Sequence, residues 1–258
     1  MFEKLNRYKD IVWYRNLADL KSESNRTYLG FAWFLLEPIL QTMILYFVFG
    51  LLMGDNRNSD FIPFLLVGMI IWQWNEGAIS VGMTGIARKA HIMNMVSLPK
   101  HLFPFVNIVN NTIKFLFVFL VVSFLANILG FYVNYNYCYL PILIIANLIF
   151  ICGISLPLAI LSAYIPDTEV VVRAGFRLLF FVSGIFFTPE RVPEYLLQYF
   201  YINPIACMMT AFRSIIVYNR HPNWGDIAYT VLFGGTILLL SLMVCKKIDK
   251  KILKYIHV

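Results

Sequence analysis

Residues 29–53 read LGFAWFLLEPILQTMILYFVFGLLM. A membrane-crossing helix needs about 20 mainly apolar residues. This run has 25 residues, with one charged side chain, Glu37. Its expected solvent is therefore lipid. Five further apolar runs follow, at about 61–85, 105–133, 140–164, 170–187 and 227–245. The whole chain agrees with them: of 258 residues, 60% are apolar and 14% charged, with 23 Phe, 15 Tyr and 5 Trp. Soluble domains average about 45–50% apolar and about 25% charged. One soluble domain of this length could not hide so much apolar surface. Composition thus excludes a disordered chain, a basic nucleic-acid-binding protein and most soluble enzymes. The expected fold is an all-α integral membrane protein with six transmembrane helices.

Charge gives the orientation. The net charge is +7. With six spans, sixteen Lys and Arg fall on the face shared by the termini, and four (Arg57, Arg191, Arg213 and Arg220) on the other. The positive-inside rule then places both termini in the cytoplasm. Five or seven spans would put one basic terminus outside. Residues 1–28 carry six cations and no apolar signal-peptide core, so insertion is expected to use the internal spans.

Two segments read as membrane-associated without crossing. In the arm 1–27, Trp13, Leu17 and Leu20 recur at helical spacing among charges, the pattern of an amphipathic interfacial helix. The membrane domain then occupies 28–258. Residues 188–225 hold two apolar stretches, each too short to cross, separated at Asn203-Pro204. They read as a re-entrant hairpin entering from the outer face between spans five and six.

No phosphate-binding loop, zinc-protease, serine-hydrolase or Cys/His metal motif occurs, so neither a catalytic nor a metal site is expected. Cys138, Cys152, Cys207 and Cys245 show no paired spacing; Cys138 and Cys207 fall toward the outer face. The matches to a glycosylation sequon at Asn25 and Asn110 lie on the cytoplasmic side and in a span, and read as chance.

The sharper signal is charge inside the spans. Glu37, Glu76 and Lys114 lie about 8 or 9 residues from the inner ends of spans one, two and three, or ~12–13 Å deep at 1.5 Å per residue. An unpaired charge at that depth costs several kcal/mol, so the three should meet. Two readings stand: a polar transport site, or a Glu76–Lys114 clasp with Glu37 on a cavity.

The basic arm followed by YLGFAWFLLEPILQTMILYFVFG resembles the first span of polysaccharide-export ABC transporter permeases. The matching residues are Leu29, Gly30, Trp33, Pro38, Val48, Phe49 and Gly50. MVSLPKHLFP at 95–104 is similar to that family's coupling region, and residues 183–218 resemble its proline-broken outer segment, with Asn203-Pro204 and Arg213. The resemblance implies a multi-pass protein of the bacterial cytoplasmic (inner) membrane. It implies a homodimer with two separate ATPase subunits, which would bind ATP and Mg, leaving no cofactor in this chain. The implied cargo is a lipid-linked polysaccharide: O-antigen on undecaprenyl diphosphate in the leading case, otherwise capsule polymer or teichoic acid. Nucleic acid is not among the implied partners.

Site residues follow on the same basis. Coupling to the ATPase falls on the stretch 84–95, with Arg88, Lys89 and His91, and on 165–168, with Ile165 and Asp167. Arg26, Arg173 and Arg177 would hold the lipid diphosphate where it is admitted at the inner face. Arg173 and Arg177 share a helix face at i, i+4, and arginine binds phosphate as a bidentate fork. Trp33, Phe34 and Tyr46 of span one, with Phe176, Phe180, Phe181 and Phe187 of span five, would offer rings to sugar C–H faces. Competing readings are an ABC exporter of drugs or small lipids, a membrane-embedded glycan or lipid enzyme, and a secondary transporter.

Overall fold

The computed structural model describes residues 30, 32–53, 60–87, 102–128 and 135–248. The amphipathic arm, Arg26, Arg88, Lys89 and His91 lie outside the described residues. The described chain is helical and contains no strand. Helix α1 (Ala32–Leu45) continues as a wider π-helical stretch, Tyr46–Leu52. Then come α2 (Phe61–Met83), α3 (Leu102–Ile128), and a 3₁₀ turn (Tyr135–Tyr139) leading into α4 (Leu140–Tyr164). The short helices α5 (Thr168–Val182), α6 (Glu194–Ile202) and α7 (Pro204–Ile216) precede α8 (Trp224–Ile248).

Five stretches are long and apolar enough to cross a membrane: Ala32–Leu52, Phe61–Met83, Leu102–Phe124, Tyr135–Tyr164 and Trp224–Lys246. The expected fifth span at 170–187 is shorter than its hydropathy suggests. Helix α5 has 15 residues, or about 22 Å, against the ~30 Å of a bilayer core. It stops at Val182 because the chain turns at Gly184, whose φ of 74° lies in the left-handed region that glycine adopts freely.

Burial is arranged as lipid demands. Helix α2 is the central post, with Leu65, Ile71, Ala78 and Ile79 at 1% exposure or less. Helix α1 and its π-helical continuation leave Leu40, Met43, Ile44 and Phe47 exposed. Such rows of exposed apolar side chains suit a hydrocarbon solvent. Helices α4 and α8 pack backbone to backbone through two glycines. A Cβ on Gly153 would strike the Gly234 carbonyl, and one on Gly234 would strike the Phe150 Cα. Small residues allow this approach where no hydrophobic force drives helices together.

Two ends of the bundle can be distinguished. At the proximal end, the Ser162 hydroxyl donates to the Met83 carbonyl (2.7 Å), joining α4 to the end of α2. At the distal end, Asn136 donates to the Asn219 carbonyl (2.7 Å) and the Tyr139 ring meets Trp224 edge-on. The helix break at Asn203-Pro204 sits at this end. The Asn203 side chain accepts from the Ile205 N–H (3.0 Å), capping α7, and Pro204 fills the first helical position. Helix α7 is buried along most of its length, whereas α6 buries Phe200 alone.

Candidate functional site

Helices α1, α2 and α3 enclose a cavity of about 490 Å³. Its walls follow helical periodicity. Glu37 and Gln41 stand one turn apart on α1; Gln73, Glu76, Gly77 and Ser80 share one face of α2; and Asn111, Lys114, Phe115 and Val118 share one face of α3. Glu37, Glu76 and Lys114, three charges on three helices, thus line one space.

Specific contacts hold the walls. Trp72 Nε1–H donates to Glu76 Oε2 (2.8 Å), and Gln73 Nε2 donates to Gln41 Oε1 (3.0 Å) across the α1–α2 seam. Lys114 Nζ lies 4.7 Å from the centre of the Phe34 ring, within cation–π range. Trp74 stacks on Phe115 at 3.9 Å and donates to the Thr112 hydroxyl (3.2 Å), fixing α2 against α3. Gly77 leaves room for Asn111, whose Nδ2 would lie 3.0 Å from a Cβ there. The cavity can therefore present carboxylates, carboxamides, a hydroxyl and an ammonium beside aromatic rings, a lining suited to a polyhydroxylated cargo.

The other residues singled out in the sequence fall in different places. Phe34 lines the cavity. Phe176 is buried, and both it and Phe180 meet Trp72 edge-on at 5.9 and 5.6 Å, so α5 packs behind the Glu76 partner. Trp33 and Phe181 are exposed at 46% and 61%. Tyr46 tilts against Phe61 and Phe187 against Phe200, both toward the distal end. Arg173 and Arg177 are exposed on α5; Arg173 also meets Glu169 of its own helix at 3.6 Å. Ile165 and Asp167 are exposed in the α4–α5 turn.

Two residues assigned to the outer side are buried there. Cys207, placed toward the outer face, is buried, and its thiol donates to the Tyr201 carbonyl (3.2 Å). Arg213, counted among the outer-face charges, is only 2% exposed. It donates from Nε to the Phe64 carbonyl (3.1 Å), from Nη1 to that of Gly184 (2.6 Å) and from Nη2 to that of Ile185 (2.6 Å). Its guanidinium also covers the Phe64 ring at 3.5 Å. The turn after α5 leaves the Gly184 and Ile185 carbonyls outside any helix, and a buried carbonyl requires a donor; the Phe64 carbonyl belongs to the first turn of α2. Gly68 makes the space, since a Cβ there would strike the guanidinium.

Sequence reasoning passed over Gln41, Gln73, Ser80 and Asn111. The signal was their spacing: Gln41 is i+4 from Glu37, Gln73 i−3 and Ser80 i+4 from Glu76, and Asn111 i−3 from Lys114.

A bundle of lipid-facing helices with a polar chamber between them defines a multi-pass membrane protein of the transport type. More particularly, residues 18–217 match the model of the ABC-2 type transporter family, and the chain belongs to that family. It is similar to the O-antigen export system permease protein RfbA of Klebsiella pneumoniae, 25% identical over 231 residues, covering 89% of this chain and 88% of the relative. The Myxococcus xanthus protein of the same name is 21% identical over 225 residues, 86% of each chain. The polysialic acid transport protein KpsM of Escherichia coli is 21% identical over 228 residues, 88% of each.

Proposed function

We propose that the protein is the transmembrane subunit of an ATP-driven exporter that moves a lipid-linked polysaccharide across the bacterial cytoplasmic membrane. The similarity to the O-antigen and polysialic acid permeases, running nearly end to end in both partners, carries this reading. O-antigen on undecaprenyl diphosphate is the leading cargo. The working unit is a permease homodimer with two ATPase subunits, which bind ATP and Mg and perform the hydrolysis. Stretches 84–95 and 165–168 pass the ATPase stroke to the bundle.

The topology is six crossings with both termini cytoplasmic. Helix α5 makes the additional crossing together with residues 183–187. Two contacts support it: α5 begins beside the proximal end of α4, and Arg213 ties the carbonyls just beyond α5 to Phe64 at the distal end of α2. The proximal end then faces the cytoplasm, and α6 and α7 form the re-entrant hairpin of the outer face. Arg173 and Arg177, exposed on α5, are the residues assigned to the diphosphate where it enters from the inner face.

The test is co-purification combined with gene deletion. The permease should recover a roughly stoichiometric ATPase carrying its own phosphate-binding loop, and deletion should remove the surface polysaccharide. Recovery of no ATPase, or a full-length surface polymer in the deletion strain, would overturn the reading. Loss of drug efflux with the polymer intact would favour a drug exporter.

A further inference from the structure

A second cavity, of about 670 Å³, opens at the distal end among the start of α2, the turn 186–191, α6 and α7. The export reading gives it no role. Its frame is cross-tied: Arg213 holds the Gly184 and Ile185 carbonyls to α7, and Asn203 Nδ2 donates to Ser183 Oγ (2.8 Å). A site built this way needs little reorganisation to receive a ligand.

The wall presents both hydrogen-bonding signs. Asp60 and Glu190 offer acceptors, Arg220 a guanidinium and Tyr218 a hydroxyl, with the Phe61 and Phe187 rings beside them. Burial, the largest influence, raises the Tyr218 phenol above its ordinary value; Arg213 and Arg220 oppose this, while Glu190 and Asp60 add to it. The phenol therefore stays a donor at neutral pH, within the field of all four charges. With Arg191, the wall holds three cations against two carboxylates. That near balance disfavours a diphosphate, which would have to lie beside Asp60 and Glu190. It favours a ligand that donates and accepts at every carbon and has apolar C–H faces for the rings. Ligand sites commonly measure about 300–1,000 Å³, and this cavity falls within that range.

We propose that this cavity is a saccharide-binding site at the exit mouth, taking a short stretch of the glycan chain as it emerges. The site rests on the export reading for its supply of sugar. It would hold the emerging chain between ATPase strokes and oppose its sliding back.

The permease–ATPase complex in nanodiscs would be titrated with oligosaccharides of two to four sugars, prepared by partial hydrolysis of the producing strain's surface polysaccharide. Inorganic diphosphate would be titrated separately. Wild type should bind the oligosaccharides and not the diphosphate. Combining Glu190→Gln, Arg220→Gln and Tyr218→Phe should lower oligosaccharide affinity tenfold or more. Should that variant fail to fold, a diazirine-bearing oligosaccharide on the wild-type complex should label peptides containing residues 186–191 and 214–220. Undiminished affinity in the folded variant, labelling elsewhere, or binding of diphosphate alone would overturn the site. Polymer export by wild-type cells, measured in parallel, keeps the two readings apart. If export fails, the export reading falls and the titration still decides the site; if export holds and labelling falls elsewhere, the site alone falls.

Discussion

The two cavities are built by different means. The α1–α3 cavity is walled by long helices whose polar residues recur every three or four positions. The distal cavity is walled by turns and short helices, and it exists because one buried guanidinium gathers carbonyls from two places in the chain. The first is a property of helix faces; the second is a property of one knot of hydrogen bonds. The first should therefore lose function in graded steps as residues change, and the second should fail at once.

Arg213 gives the largest expected effect. Arg213→Leu leaves the Gly184 and Ile185 carbonyls without their donor and removes the tie to Phe64 of α2. Unsatisfied buried groups cost about 1–3 kcal/mol each, so for the two carbonyls a destabilisation of about 2–6 kcal/mol is expected, with poor recovery of folded protein. Gly68→Ala should act in the same direction by displacing the guanidinium, at about 1–3 kcal/mol. Thermal unfolding in detergent measures both. A wild-type midpoint for Arg213→Leu would show that the distal end does not depend on this side chain.

An intermediate effect is expected in the helical cavity. Trp72→Phe keeps a ring against Phe176 and Phe180 but removes the donor to Glu76, for a loss of about 1.5–3 kcal/mol. A double-mutant cycle on Glu76 and Lys114 sharpens the picture. If they are coupled across the cavity, Glu76→Leu or Lys114→Leu alone should destabilise more than the two together. Strict additivity would leave the cavity as two separately satisfied charges.

The smallest stability effect, and a functional one, is expected on α5. The Arg173–Glu169 pair is an exposed i, i+4 contact, worth about 0.3–0.5 kcal/mol. Arg173→Lys with Arg177→Lys should therefore leave the unfolding midpoint almost unchanged while reducing polymer export, because lysine keeps the charge and loses the phosphate fork. Export at the wild-type rate would reduce these arginines to topology markers.

Much of the helical cavity was legible beforehand. Glu37, Glu76 and Lys114 stand out because a charge in an apolar run has no cheap place except beside other polar groups. The carboxamides around them were less visible, since a lone Gln or Asn in a span carries no net charge. The end of the helix within residues 170–187 was invisible for a related reason. Hydropathy continues through Phe186 and Phe187, but Gly184 turns the backbone, and apolarity does not report a dihedral angle.

The sequence by itself determined the solvent of the helices, the shared depth of three charges and the break at Asn203-Pro204. Each follows from composition or periodicity within about 25 residues, the length over which a helix and a bilayer act. Only the tertiary structure decided the fate of Arg213. By charge alone it belongs in water. It is buried because the chain brings carbonyls 149, 29 and 28 residues away in sequence to one spot, and the last two have no helix to partner them. A guanidinium, with five donors in one plane, can satisfy all three at once. Which carbonyls lack partners is fixed by how the turns close, and no local pattern of residues carries that information.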